Sequence, residues 1–79
     1  MPTVKRVGPY RLFFFSNERS EPPHVHVQRD QALAKVWLAP VALASSSGFS
    51  ARELNRIERL VSDAQDELRE SWRDFFHTE

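Results

Sequence analysis

The sequence predicts an α+β fold: a small four-stranded, mostly antiparallel sheet, one short helical turn and one long C-terminal amphipathic helix. Three observations predict it. In the first half, β-branched and aromatic residues come in short runs broken by Gly and Pro. From Leu54 to Phe75, apolar residues recur every three or four positions. The chain has 79 residues, enough for a single domain spanning 1–79. A domain of that size buries only about 60% of the surface its unfolded chain exposes, so its core is thin.

Thr3–Val7 and Tyr10–Ser16 read as strands joined at Gly8-Pro9, where Gly supplies an unusual φ and Pro fixes its own. Asn17–Pro23 is polar and holds two prolines that cannot donate to a ladder, so it reads as a loop. His24–Arg29 alternates His-Val-His-Val-Gln-Arg, the pattern of a half-buried strand with Val25 and Val27 inward. Asp30-Gln31 fits a turn. Leu33–Leu38 is the fourth strand, with Ala34, Val36 and Leu38 on one face and Lys35 and Trp37 on the other. Pro40 stands where a short helix would start, since its missing N–H costs nothing at the first helical position. Val41–Ala44 is then a single helical turn, ended by Ser45-Ser46-Ser47-Gly48.

Ser50-Ala51-Arg52-Glu53 is a capping box, in which Ser50 accepts from the Glu53 N–H and the Glu53 carboxylate reaches back to the Ser50 N–H. Phe49 can staple onto Leu54. Leu54, Ile57, Val61, Ala64, Leu68, Trp72 and Phe75 then form one stripe, with Leu60 and Phe76 at its edges. Run straight from Ala51 to Phe76, this helix spans about 39 Å at 1.5 Å per residue. The strands span only about 17–23 Å. The helix therefore overhangs the sheet, and Trp72, Phe75 and Phe76 cost roughly 1.5–3 kcal/mol each if left wet. Either the helix bends or crosses so as to cover them within the chain, or a partner chain or second copy covers them. These three residues are the candidate partner-binding site.

Eleven basic residues balance eleven acidic ones, and 41% of the chain is apolar. That excludes a disordered chain and a protein that holds nucleic acid by bulk charge alone. The absence of cysteine excludes disulfides, thiolate zinc sites and a cysteine nucleophile. No apolar run near the N-terminus approaches the roughly 18 residues of a membrane span, so a cytoplasmic protein is expected. The neutral total hides a split. Residues 1–50 carry six basic groups against three acidic, and residues 51–79 five against eight. The strand-rich half is basic and the helical half acidic, which bears on partner choice.

With the valines inward, the outer sheet face carries His24, His26, Gln28, Lys35 and Trp37. With Leu12 and Phe14 inward, Arg11, Phe13 and Phe15 join it. Three chemistries fit this surface. Phe13, Phe15 and Trp37 can stack bases while Arg11 and Lys35 neutralise phosphates. His24 and His26, about 6.5–7 Å apart at Cα on one side of a strand, can serve as general base and general acid toward a phosphodiester. Lys35 or Arg11 would then steady the transition-state charge. His-x-His also suits zinc with Glu18 or Glu21 as a further ligand, but no third ligand is clear, so neither a metal nor a cofactor is expected. A purely structural role competes with all three: at the Pro22-Pro23-His24 corner the imidazoles can act as hydrogen-bonding clips that hold the loop.

Met1-Pro2-Thr3-Val4, Tyr10-Arg11-Leu12-Phe13-Phe14-Phe15-Ser16-Asn17-Glu18, Glu21-Pro22-Pro23-His24-Val25-His26-Val27, Ala34-Lys35-Val36-Trp37-Leu38 and Gly48-Phe49-Ser50 together resemble the DUF4160 family. The resemblance covers nearly the whole chain. Its motifs are specific for the family and not for an activity. It implies a small bacterial cytoplasmic protein, often encoded beside a DUF2442 protein in an arrangement that resembles a type II toxin–antitoxin module, with the DUF4160 member as the proposed toxin. One departure is Ala39, where relatives often carry Asp before the proline; this removes a cap for the short helix. The expected function is therefore the toxin-like half of a two-protein module that acts on or binds nucleic acid. Its partners would be a DUF2442-type antitoxin-like protein, RNA or DNA, and a second copy in a homodimer. RNA cleavage by His24 and His26 is its catalytic form. The alternative is a non-catalytic module: a DNA-binding regulatory subunit, or an adaptor docking through its helix.

Overall fold

The strands pair in chain order, and three of the four connections are only two residues long: Gly8-Pro9, Asp30-Gln31 and Ala39-Pro40. The computed structural model describes residues 3–15 and 20–76. β1 (Thr3–Val7) turns at Gly8, whose φ of 57° suits a residue without Cβ, into β2 (Tyr10–Phe13). β3 (His24–Arg29) and β4 (Ala32–Leu38) are joined by a tight turn in which Asp30 takes a φ of 55°, and β5 (Val41–Ser47) follows. All neighbours are antiparallel, in the order β1-β2-β3-β4-β5.

The α+β class is as expected, but the sheet has five strands, not four, and there are two helices. Val41–Ala44 is not a helical turn. It is the start of β5, and Ala39-Pro40, joined by a cis peptide bond, is a two-residue turn between the paired residues Leu38 and Val41. Pro40 serves a turn as well as a helix start. The backbone of β4 decides between them: Val36 and Leu38 are fully buried, and β5 supplies the ladder partners that the outer side of β4 requires. Ala39 thus has no helix to cap. Of the expected strand Tyr10–Ser16, β2 keeps Tyr10–Phe13, and Ser16 lies outside the described residues.

The long helix is divided. α1 (Ala51–Asp63) and α2 (Gln65–Phe75) meet at Ala64, whose φ of −104° and ψ of 15° leave the helical region. There Gln65 Nε2 donates to the carbonyl of Leu38, at 2.6 Å, tying the break to the end of β4. Ser50 Oγ accepts from the Glu53 N–H at 3.2 Å, as the capping box requires. The Glu53 carboxylate, however, takes Arg29 and Tyr10 rather than turning back.

The core lies between the layers. Leu12, Phe14, Val25, Val27, Val36 and Leu38 from the sheet side meet Ile57, Val61, Leu68 and Trp72. The overhang is resolved within the chain. Trp72 is 7% exposed and packs edge-on to Phe14 at 5.2 Å, with Phe75 5.6 Å from the same ring. Of the two expected ways to cover the aromatic end, the structure shows the one within the chain for Trp72, and Phe75 and Phe76 are half-buried.

Candidate functional site

The face of the sheet away from the helices is organised by strand register. Thr3, Phe13, His26, Lys35 and Ser45 form one row across the five strands. Arg6, Arg11, Gln28, Leu33 and Ser47 form the next. His24 stands opposite Trp37, and Trp37 opposite Ala42. The alternation of β2, β3 and β4 thus brings Arg11, Phe13, His24, His26, Lys35 and Trp37 onto one face, and Phe15 joins them with its ring edge 4.5 Å from His26.

Facing and exposure part company here. The two imidazoles were expected side by side in water, but His24 is 0% and His26 6% exposed, and Phe13 is 3% exposed. The rings cover one another. Phe13 stacks on His26 at 5.5 Å, and His26 meets His24 edge-on at 5.2 Å. His24 lies between Trp37, at 5.5 Å, and Trp72 of α2, at 4.9 Å. Neighbouring strands are only about 4.8 Å apart, so large rings in adjacent positions shield each other, and Trp72 of α2 completes the cover over His24. His24 Nδ1 is 2.9 Å from the carbonyl of Pro22. A carbonyl only accepts, so this nitrogen donates, and His24 acts as a clip on the loop corner.

The cations frame this cluster. The Arg11 guanidinium lies 4.5 Å above the Phe13 ring and donates to Gln28 Oε1 at 3.0 Å and Thr3 Oγ1 at 2.8 Å. Lys35 Nζ lies 4.8 Å over Trp37 and pairs with Glu21 Oε1 at 2.6 Å. Phe13 is thus closed to a stacking base, while Arg6, exposed and directly opposite Arg11, adds a third cation to the face. Of the possible zinc ligands, Glu21 is engaged by Lys35 and Glu18 lies outside the described residues. Among the described residues no three His, Asp or Glu groups are placed to hold a metal, and no helix is long and apolar enough to cross a membrane.

Two features escaped the sequence. Arg6 joins the face only through register, because nothing local says which of Lys5 and Arg6 turns outward. Ser45, Ser46 and Ser47, expected to end a helical turn, line a shallow cleft of about 170 Å³ with His26, Leu33, Ala34 and Lys35. The strand content of Val41–Ser47 was the missing signal.

On the helix side, Glu53 joins the layers. It accepts from Arg29 Nε at 2.6 Å, Arg29 Nη2 at 2.9 Å and the Tyr10 hydroxyl at 2.8 Å. The bond to Arg29, followed by that to Tyr10, holds its carboxyl below the usual range. Burial, followed by the bond to Glu53, pushes the Tyr10 hydroxyl up.

A family described only as a domain of unknown function, DUF4160, matches residues 10–73, most of the chain. The chain belongs to the DUF4160 family. Every outer-face residue from Arg11 to Ser47 lies inside the span matched to DUF4160, and Arg6 lies outside it. No curated protein and no solved structure matches this DUF4160 chain.

Proposed function

We propose that this protein is a binding module for nucleic acid, the toxin-like half of a two-protein module, working through its uncovered sheet face. The observation that carries the reading is the charge of that face. Arg6 and Arg11 stand directly opposite each other on β1 and β2, and Lys35 lies two strands from Arg11. Two guanidinium groups side by side on neighbouring strands give a phosphate chain two adjacent points of attachment. Half-buried Trp37 and Phe15 add ring surface beside the cations.

Binding is preferred to cleavage because of access. A general acid or base must come within about 2.6–3.2 Å of the atom it serves. His24 has no exposed surface among its aromatic neighbours, and His26, which borders the serine cleft, is only 6% exposed, so as folded they do more to hold the face together than to meet a ligand. Docking of an adaptor by Trp72, Phe75 and Phe76 has less support, because Trp72 is committed to Phe14 and His24.

Fluorescence anisotropy with a labelled single-stranded RNA tests the reading. Two phosphate contacts, from Arg6 and Arg11, imply about sevenfold weaker binding to a single strand when salt rises fourfold. Arg6→Glu should weaken binding and flatten that slope. Absence of binding at low salt, or an affinity indifferent to Arg6→Glu, rejects it. A parallel single-stranded DNA arm separates the RNA form from the DNA-binding regulatory form. Growth arrest on induction, relieved by a DUF2442-type partner, tests the toxin-like role.

A further inference from the structure

The helix layer is narrower than the sheet it covers. Five strands span about 19 Å between their outer members. One helical rod is only about 10–12 Å across. α1 packs on β4 and β5, and α2 on β4, so the layer is displaced toward one edge. Beside β1 this leaves an open groove of about 430 Å³ between Lys5 and Val7 of that strand and the helices around Ala64. Val7, Leu60 and Ala64, all half-buried, supply its apolar surface.

The groove's rim carries an ordered pattern of charge. Arg56 and Arg59 line its first part, and Asp63 and Glu67 its second. Arg52 before them and Glu70 after them continue the same three-and-four spacing. The stripe is basic and then acidic. Within α1 this order opposes the helix dipole, which favours acids at the start and cations at the end, and the last turn of α1 has no cation. Such a stripe is complementary to itself read backwards.

We propose that this groove is closed by the same groove of a second copy of the chain, with the two helical rods antiparallel about a two-fold axis. Arg56 and Arg59 of each copy then face Asp63 and Glu67 of the other, and the two apolar surfaces meet between them. An interface about a two-fold axis must be self-complementary, and a basic-to-acidic stripe run antiparallel meets that condition at every step. Lys5, 3.2 Å from Glu67 across the groove, lies at its margin.

Arg59 and Asp63 are both exposed, which makes them suitable for a charge-swap test by sedimentation equilibrium. The wild-type chain is expected to be a dimer at micromolar concentration. Arg59→Glu alone and Asp63→Arg alone each set like charges together twice, and each should weaken association by about a hundredfold. The double variant R59E/D63R restores complementarity and should dimerise again. Far-UV circular dichroism should be the same for all four proteins. A wild-type chain that stays single up to the sub-millimolar range overturns the proposal. So does a dimer that neither single variant weakens, or a double variant that fails to recover. Arg6→Glu acts on the opposite face and leaves the mass unchanged, so loss of nucleic-acid binding and loss of the dimer are separately readable.

Discussion

The imidazole of His24 lies between two indoles, donates a hydrogen bond from Nδ1 to the Pro22 carbonyl, and carries no exposed surface. Truncating it leaves a cavity where the loop corner, β3 and α2 meet. His24→Ala should therefore cost about 2–5 kcal/mol, the range of large-to-small core changes, as measured by urea denaturation. An unchanged midpoint would mean that the packing of His24 between Trp37 and Trp72 does not hold the fold. Any activity lost in that variant would report on folding before chemistry. Glu53 is the second polar side chain built into the frame. Its folded carboxyl titrates below its unfolded value, so its contribution is present above the ordinary carboxylate range of about 4.3 and is lost as pH falls through the lower folded value. Thermal melts from neutral to acid pH should show this loss. Glu53→Gln should melt lower at neutral pH and show a flatter acid limb; parallel curves would reject the assignment.

Among the elements, the helix start was legible because its signal is local. Ser50 and Glu53 are three residues apart, and the cap needs only those two and the backbone between them. Ser50→Ala should lower stability by about 1 kcal/mol in chemical denaturation. β5 was not legible, because Pro40, Ala42 and Ala44 suit a helical turn as well as a strand, and the deciding interaction is the open side of β4. Gly48, which follows β5, has a φ of 89°, and a Cβ there would come 3.1 Å from the Cα and Cβ of Ala32. Gly48→Ala should cost at least about 1–2 kcal/mol from the left-handed backbone alone, again read from denaturation. The break at Ala64 was also hidden. Nothing in Val61–Leu68 forbids a continuous helix, and the bond from Gln65 to Leu38 spans elements far apart in sequence.

For the whole molecule, the two layers differ in sign. Among the described residues, the strands and loops up to Ser50 hold Lys5, Arg6, Arg11, Arg29 and Lys35 against Glu21 and Asp30, whereas the helices hold more carboxylates than cations. The split seen between the halves of the sequence thus becomes a split between layers, joined by ion pairs in which Lys5 and Arg29 meet Glu67 and Glu53 of the helices. His24 also joins the layers mechanically, touching Trp37 on the sheet and Trp72 on α2. The domain should therefore unfold as one unit. Urea curves by circular dichroism and by the fluorescence of Trp72 in a Trp37→Phe variant should superimpose. An earlier fluorescence transition would mean that α2 melts separately.

Short-range patterns carried most of the architecture. Alternation in His24–Arg29 placed the valines inward and the histidines outward, the three-and-four spacing placed Ile57, Val61, Leu68 and Trp72 on one stripe, and both assignments hold in the fold. Such patterns report which way a side chain points, since that follows from backbone geometry within a few residues. They do not report whether the direction leads to water. His26 shares the row of Phe13 and Lys35 and His24, at the start of β3, reaches α2, and both are buried because Phe13, Phe15, Trp37 and Trp72 arrive beside them from elsewhere in the chain. The fifth strand, the divided helix and the covering of the histidines all depend on contacts between residues distant in the chain, and these exist only once the layers have packed.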